Sequence, residues 1–137
     1  MKKILFVWMM LTGLLAAAPL QLETGYEKAL EKAQSQDRPV MLVLSSHSCR
    51  YCDLFDQETL ADAQVIKALN RDFVNMVAYT DEGQYVPRQL ITGATPTIWF
   101  LTPKGEPMFQ PIMGAVGKED FVKALAIVHD AYTSSKQ

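Results

Sequence analysis

The chain has 137 residues, 49% of them hydrophobic and 20% charged, with 13 basic against 15 acidic residues and a formal net charge of −2. That describes one domain of common size, with enough apolar material for a core, and the seven Gly and seven Pro exclude a collagen-like or low-complexity chain. With no run of like charge in the sequence, neither nucleic acid nor an acidic membrane surface is an expected partner.

The N-terminus opens with Lys2 and Lys3, continues with an apolar stretch from Ile4 to Leu15 and ends in Ala16, Ala17 and Ala18. A positive start, a short apolar middle and a small-residue end are the three parts of a secretory signal, whereas a spanning helix needs about 20 apolar residues. Residues 1–18 are therefore expected to be a secretory signal peptide, cleaved after Ala18 or Ala17. The alternative is an uncleaved N-terminal anchor running on toward Leu22. Either one puts the remaining domain, residues 19–137, in an extracytoplasmic space.

Thr24 and Glu27 have the spacing of a capping box, and a helix is expected from Tyr26 to about Gln36. Its less polar positions Tyr26, Ala29, Leu30 and Ala33 recur at helical spacing. Asp37-Arg38-Pro39 breaks that helix, and the unbroken apolar run from Val40 to Leu44 suits a strand buried on both faces. A second helix carries Val65, Ile66 and Leu69 behind Asp62 and has a possible start as early as Cys49. Phe73 to Tyr79 is the next strand, and Pro87 to Ile91 a short helix. Thr97 to Leu101 is rich in β-branched and aromatic residues and reads as a strand. A turn at Pro103 to Glu106 follows, with Met108 to Met113 returning as its hairpin partner. Lys118 to about Tyr132 closes the chain as an amphipathic helix. This order predicts an α/β fold with a mixed central β-sheet flanked by α-helices.

Two cysteines are the whole supply, and they stand as Cys49-Arg50-Tyr51-Cys52 between the buried strand and a helix start. Free N–H groups at a helix start stabilise an anion, and the thiolate is the reactive form of cysteine. With two residues between them, Cys49 can attack a disulfide and Cys52 can resolve the mixed disulfide. Three other readings compete. A zinc site would need His47 and His129 to complete four ligands; a structural disulfide would close only a short loop; and inert buried thiols fit poorly beside Ser46, His47, Ser48 and Arg50.

Together these residues resemble the thioredoxin superfamily over nearly all of residues 24 to 133. The resemblance rests on the buried strand entering Cys49-Arg50-Tyr51-Cys52, on Thr95-Pro96-Thr97 entering a strand, on the turn at Pro103-Lys104-Gly105-Glu106, and on Gly114 before the last helix. The segment from Arg38 through Leu60 looks most like exported thioredoxin-like proteins that act as periplasmic thiol reductases. The resemblance implies a thioredoxin fold and a cis Pro96, with Thr95 pairing its backbone with a bound substrate chain. It also implies thiol–disulfide exchange with Cys49 as nucleophile and Cys52 as resolving thiol. No cofactor is implied beyond the redox-active disulfide Cys49–Cys52, and no metal. Expected partners are protein thiols and disulfides, with a membrane-embedded thiol transporter as electron donor to a monomeric protein.

Several positions depart from the family pattern. Val43 stands where thioredoxins commonly carry a buried Asp, Val77 where they carry its Lys partner, and Ser48 where an aromatic residue precedes the first cysteine. A water, Glu58 or His47 would then have to handle the proton. His47, Arg50 and Tyr51 are candidate thiolate-tuning residues: His47 for a pKa near neutrality, Arg50 for its fixed charge, Tyr51 for a dipeptide unlike that of thioredoxin. Asp53, Asp56 and Glu58 are assigned to the solvated face of the active-site helix, and Trp99, Met108 and Met113 to the core. Rival functions are a disulfide oxidase or isomerase using the same residues, and a non-catalytic thioredoxin-fold module binding a metal or a partner.

Overall fold

In the computed structural model, which describes residues 17–137, the apolar run Val40–Leu44 becomes the centre of the sheet. Strand β1 (Val40–Ser45) is buried at every position, because it has a strand on each side and a layer on each face. Beside it β2 (Val74–Tyr79) runs parallel, with Val40 opposite Val74 and Ser45 opposite Tyr79. On the other side β3 (Thr97–Leu101) runs antiparallel, with Val43 opposite Ile98. The short β4 (Ile112–Met113) pairs antiparallel with β3 and completes the order β2-β1-β3-β4. The expected signal peptide lies outside the described residues except for Ala17 and Ala18.

Alternation along the strands divides the apolar side chains between two layers. Leu42, Leu44, Met76, Ala78 and Trp99 face helix α1 (Tyr26–Gln36), which contributes Tyr26, Ala29 and Ala33. Met41, Val43, Ile98 and Phe100 face the other way, toward Phe55, toward Val65 and Leu69, and toward Phe121, Leu125 and Val128. These belong respectively to the helical segment after the cysteines, to α3 (Ala63–Asp72) and to α4 (Lys118–Ser134). The molecule is thus a mixed sheet between helices, as its sequence pattern predicts; α2 is the short helix Arg50–Leu54.

Four local expectations are corrected. The capping box does not form, and Gly25 caps α1 without a side-chain bond. The chain before it is committed elsewhere: Glu23 donates its N–H to Asn75 O at 2.8 Å, pairs beside Met76, and forms an ion pair with Lys32. The helix after the cysteines is also not continuous. It runs on as a π-helical segment, Phe55–Leu60, and α3 starts afresh where Asp62 Oδ1 accepts from the backbone N–H groups of Gln64 and Val65. Only one 3-10 turn, Arg88–Leu90, forms in the segment from Pro87 to Ile91. Of the expected return strand Met108–Met113, Ile112–Met113 alone is a strand, while Met108 N–H still donates to Phe100 O at 2.9 Å.

Both sides of the sheet are guarded. Pro19 to Glu23 runs past β2, held where Gln21 N–H donates to Asn70 Oδ1 and Asn70 Nδ2 donates to Pro19 O, both at 2.9 Å. The opposite side ends in the two residues of β4.

Candidate functional site

Leaving β1 at Ser45, the chain crosses Ser46 to Ser48 and enters α2 with Cys49 as its cap residue. Cys49 has an extended backbone, and its sulfur accepts the Cys52 N–H at 3.1 Å, so the first cysteine occupies the place an Asn or Ser oxygen takes at other helix starts. Cys49 and Cys52 are joined in a disulfide with their Cα atoms 5.2 Å apart. The two sulfurs are not equivalent: Cys49 is half-buried and Cys52 is 1% exposed. A partner thiol or thiolate therefore meets Cys49 first.

Across from the pair, the Thr95–Pro96 peptide bond is cis. Thr95 O lies 3.5 Å from Cys49 Sγ. This loop is fastened from both ends. Thr97 Oγ1 donates to Ala94 O at 2.8 Å and lies 2.8 Å from Thr92 Oγ1, while Gly114 N–H donates to Pro96 O at 2.9 Å. Gly114 has φ 96°, a conformation that suits a residue without a Cβ. Met113, assigned to the core from sequence, is instead 64% exposed and sits opposite Thr97, because β4 is an edge strand. Trp99 is buried as expected, and its indole N–H donates to Leu90 O at 2.8 Å.

The three residues singled out for thiolate tuning lie differently around the pair. Arg50 is exposed and makes no ion pair among the described residues, and Tyr51 is 62% exposed beside the disulfide. The partners of His47 are at the end of β2 and in the turn that follows it. Its ring stacks on Tyr79 and its Nε2 is 2.5 Å from Glu82 Oε1, while its backbone N–H donates to Asp81 Oδ2 at 2.9 Å. The bond to Glu82 raises the His47 pKa, with Asp81 and Asp53 adding to it, and the same backbone N–H holds the Asp81 carboxyl below its usual range.

Val43 and Val77 are direct neighbours in the parallel register of β1 and β2. The apolar pair occupies the positions of the family's usual buried acid and its lysine. Glu58 is exposed. The acid that sequence reading passed over is Asp56, four residues after Cys52 and so on the same side of the helical segment. It is half-buried, and burial, followed by the charge of Asp53, pushes its pKa up. Asp56 in turn helps raise the Tyr79 hydroxyl, after burial. Its position four beyond the second cysteine is visible in the sequence; its burial is not, because that depends on how the folded chain packs around it.

Among the described residues no three His, Cys, Asp or Glu side chains gather to hold a metal. His129, the fourth ligand a zinc reading requires, lies on α4 with Nδ1 3.9 Å from Asp72 Oδ1 at the end of α3.

Comparison with known proteins agrees with this geometry. A thioredoxin from Thermus thermophilus superposes with a TM-score of 0.71 and 30% identity, over 82% of this chain and 90% of that one. The oxidised C-terminal domain of Neisseria meningitidis DsbD gives 0.60 and 20% identity over 74% and 90%. Human spermatogenesis-associated protein 20 is 24% identical over 89 residues, 59% of this chain, which spans only 11% of that protein's length. Residues 26–129 match the model of the thioredoxin-like domain, and the chain belongs to that family.

Proposed function

We propose that this protein is an exported protein-disulfide reductase. The observation that carries the reading is the unequal Cys49–Cys52 pair facing the cis Thr95–Pro96 loop, with Thr95 O 3.5 Å from the outer sulfur. The likeness to a thioredoxin at 30% identity supports it.

In the reduced protein Cys49 attacks one sulfur of a substrate disulfide as a thiolate. The substrate S–S bond breaks, one substrate cysteine leaves and takes up a proton, and a mixed disulfide forms at Cys49. Cys52 then loses its proton and attacks Cys49 Sγ, which releases the second substrate thiol and closes Cys49–Cys52. Two electrons have passed to the substrate. They are replaced by a dithiol donor, a membrane-embedded thiol transporter in our reading. Thr95 and Pro96 supply the backbone platform for the substrate chain. Arg50 places a fixed positive charge next to Cys49, which favours the thiolate. Asp56 serves the proton of Cys52 in place of the absent acid at Val43. Residues 1–18 direct export, and residues 19–137 act as a monomeric domain in the periplasm.

Replacement of Cys49 by Ser abolishes disulfide reduction in this reading, and Cys52→Ser accumulates mixed disulfides with substrate. Full activity of Cys49→Ser would overturn it. The direction of electron flow is tested by the equilibrium potential of the pair: a value near the roughly −270 mV of thioredoxin fits a reductase, and one near about −120 to −180 mV assigns the protein to oxidation or isomerisation.

A further inference from the structure

Thr59 lies on the π-helical segment that continues the cysteine helix, and only 1% of it is exposed. Its neighbours Phe55 and Leu60 are buried in the apolar layer on that side of the sheet, surroundings that a valine of nearly the same shape would suit. A hydroxyl buried there needs a partner, and it has one: Thr59 Oγ1 donates to Val116 O at 2.7 Å. Val116 N–H in turn donates to Gly114 O at 3.0 Å, and Gly114 N–H donates to Pro96 O at 2.9 Å. These bonds in series join the helix that carries Cys52 to the loop whose Thr95 O lies 3.5 Å from Cys49 Sγ. The path closes a ring through the two sulfurs: from Cys52 along the helix to Thr59, across to Val116 and Gly114, and back through Pro96 and Thr95 to Cys49.

We propose that Thr59 is a positioning residue for polypeptide substrates: its hydroxyl holds the Gly114–Val116 turn, and through it the Thr95–Pro96 backbone, at the distance from Cys49 that pairing with a bound chain requires. The inference rests on the proposed disulfide chemistry and deepens it. Strand β4 has two residues, so its ladder with β3 gives the turn beyond it little hold. Ala115 and Val116 pack on the core only as partly buried side chains, and apolar contact is non-directional, so it does not fix where the Val116 carbonyl points. The hydrogen bond from Thr59 is directional. It also starts from a well-packed segment, where Phe55 meets Phe121 of α4 edge-on with centroids 5.4 Å apart. Without the hydroxyl, Val116 O loses this partner and the turn can shift. The shift is felt at Cys49, because attack depends on how the bound chain is oriented.

The test compares two substrates of the reduced protein: insulin, whose chains offer backbone to the platform, and dithiobis(nitrobenzoate), a small aromatic disulfide that offers none. Thr59→Val removes the donor and keeps the shape, Thr59→Ala is the second variant should the first not fold, and Thr59→Ser restores the hydroxyl. The ratio of second-order rate constants, insulin over the small disulfide, is expected to fall about tenfold in Thr59→Val and Thr59→Ala, short of the roughly 100-fold that a misplacement of about 1 Å can cost. In Thr59→Ser it should return to near the wild-type ratio. Hydrogen exchange supplies a second readout: the Gly114 amide should exchange faster in the Val or Ala variant relative to the amides of β1, which report opening of the whole fold. Equal loss of rate on both substrates, an unchanged ratio, or Gly114 exchange that merely follows β1 overturns the positioning role and leaves the redox reading standing. Wild-type protein that reduces neither substrate overturns the redox reading and the positioning role with it.

Discussion

The imidazole of His47 lies flat on the ring of Tyr79, with centroids 4.2 Å apart and planes 3° from parallel, while its Nε2 reaches Glu82 Oε1 at 2.5 Å. This clasp ties the loop before Cys49 to the turn after β2. It gives His47 a part in holding the cysteine loop.

Because the bond to Glu82 raises the His47 pKa, the clasp contributes in full below the ordinary imidazole value and is lost as pH rises through the raised one. In an NMR titration His47 should inflect above 6.5 and move down in Glu82→Gln. The stability difference between wild type and Glu82→Gln should shrink over the same pH interval. A His47 inflection that ignores Glu82→Gln would contradict the clasp.

Asp56 makes a prediction of opposite sign. Its carboxyl is raised by burial, so the ionised form costs stability at neutral pH, and the cost vanishes as pH falls below the unfolded value. Asp56→Asn should therefore unfold at higher urea than wild type at pH 7 and match it in acid. The same variant should lower kcat at pH 7 by about 100-fold, the low end of the range for a proton-transfer group, with little change in KM. Unaltered kcat would remove Asp56 from the proton path.

That pair of residues also marks how far the sequence is legible. The buried strand, the Cys-x-x-Cys at its end and the amphipathic last helix follow from periodicity and spacing, since Val40–Leu44 and the Phe121, Leu125, Val128 face carry their burial in their pattern. The partial burial of Asp56 does not, because a carboxyl in a charged stretch with Asp53 and Glu58 reads as solvated until the packing of the folded chain is seen. The capping box at Thr24 fails for a related reason. Local spacing was right, but the long-range pairing of Glu23 with β2 took the chain away. Likewise the break at Asp62 comes from a cap whose strength depends on its bonds to Gln64 and Val65, and the 3.6-residue pattern alone does not disclose it.

Gly105 offers a test of packing between α1 and the turn after β3. Its φ is +84°, and a Cβ there would lie 2.5 Å from Tyr26 Oη and 3.3 Å from Leu30 Cδ1. Gly105→Ala should destabilise the fold by about 1–3 kcal/mol through left-handed strain and overpacking. Denaturant unfolding would show this as a lower midpoint with an unchanged slope.

At the far end of α4, Tyr132 Oη donates to Asp37 Oδ1 at 2.7 Å, and Lys136 Nζ lies 2.7 Å from Asp37 Oδ2. Burial and this bond push Tyr132 up to about 12, so its contribution is intact below about pH 10 and fades as pH rises through 12. Asp37 is lowered by Lys136 and Tyr132, and its share is lost as pH falls through that lowered value. Tyr132→Phe should lose stability across the neutral range, and the gap to wild type should close in strong alkali. A constant gap up to pH 12 would show that the hydroxyl bond is not its source.

The guarded sides of the sheet have a consequence for how copies of the protein meet. Pro19 to Glu23 screens the flank of β2, and β4 offers only two residues, so neighbouring molecules find little backbone on which to build a shared ladder. Crowded together, the domains should stay separate particles rather than growing into stacked assemblies, which keeps the cysteine face open to other chains.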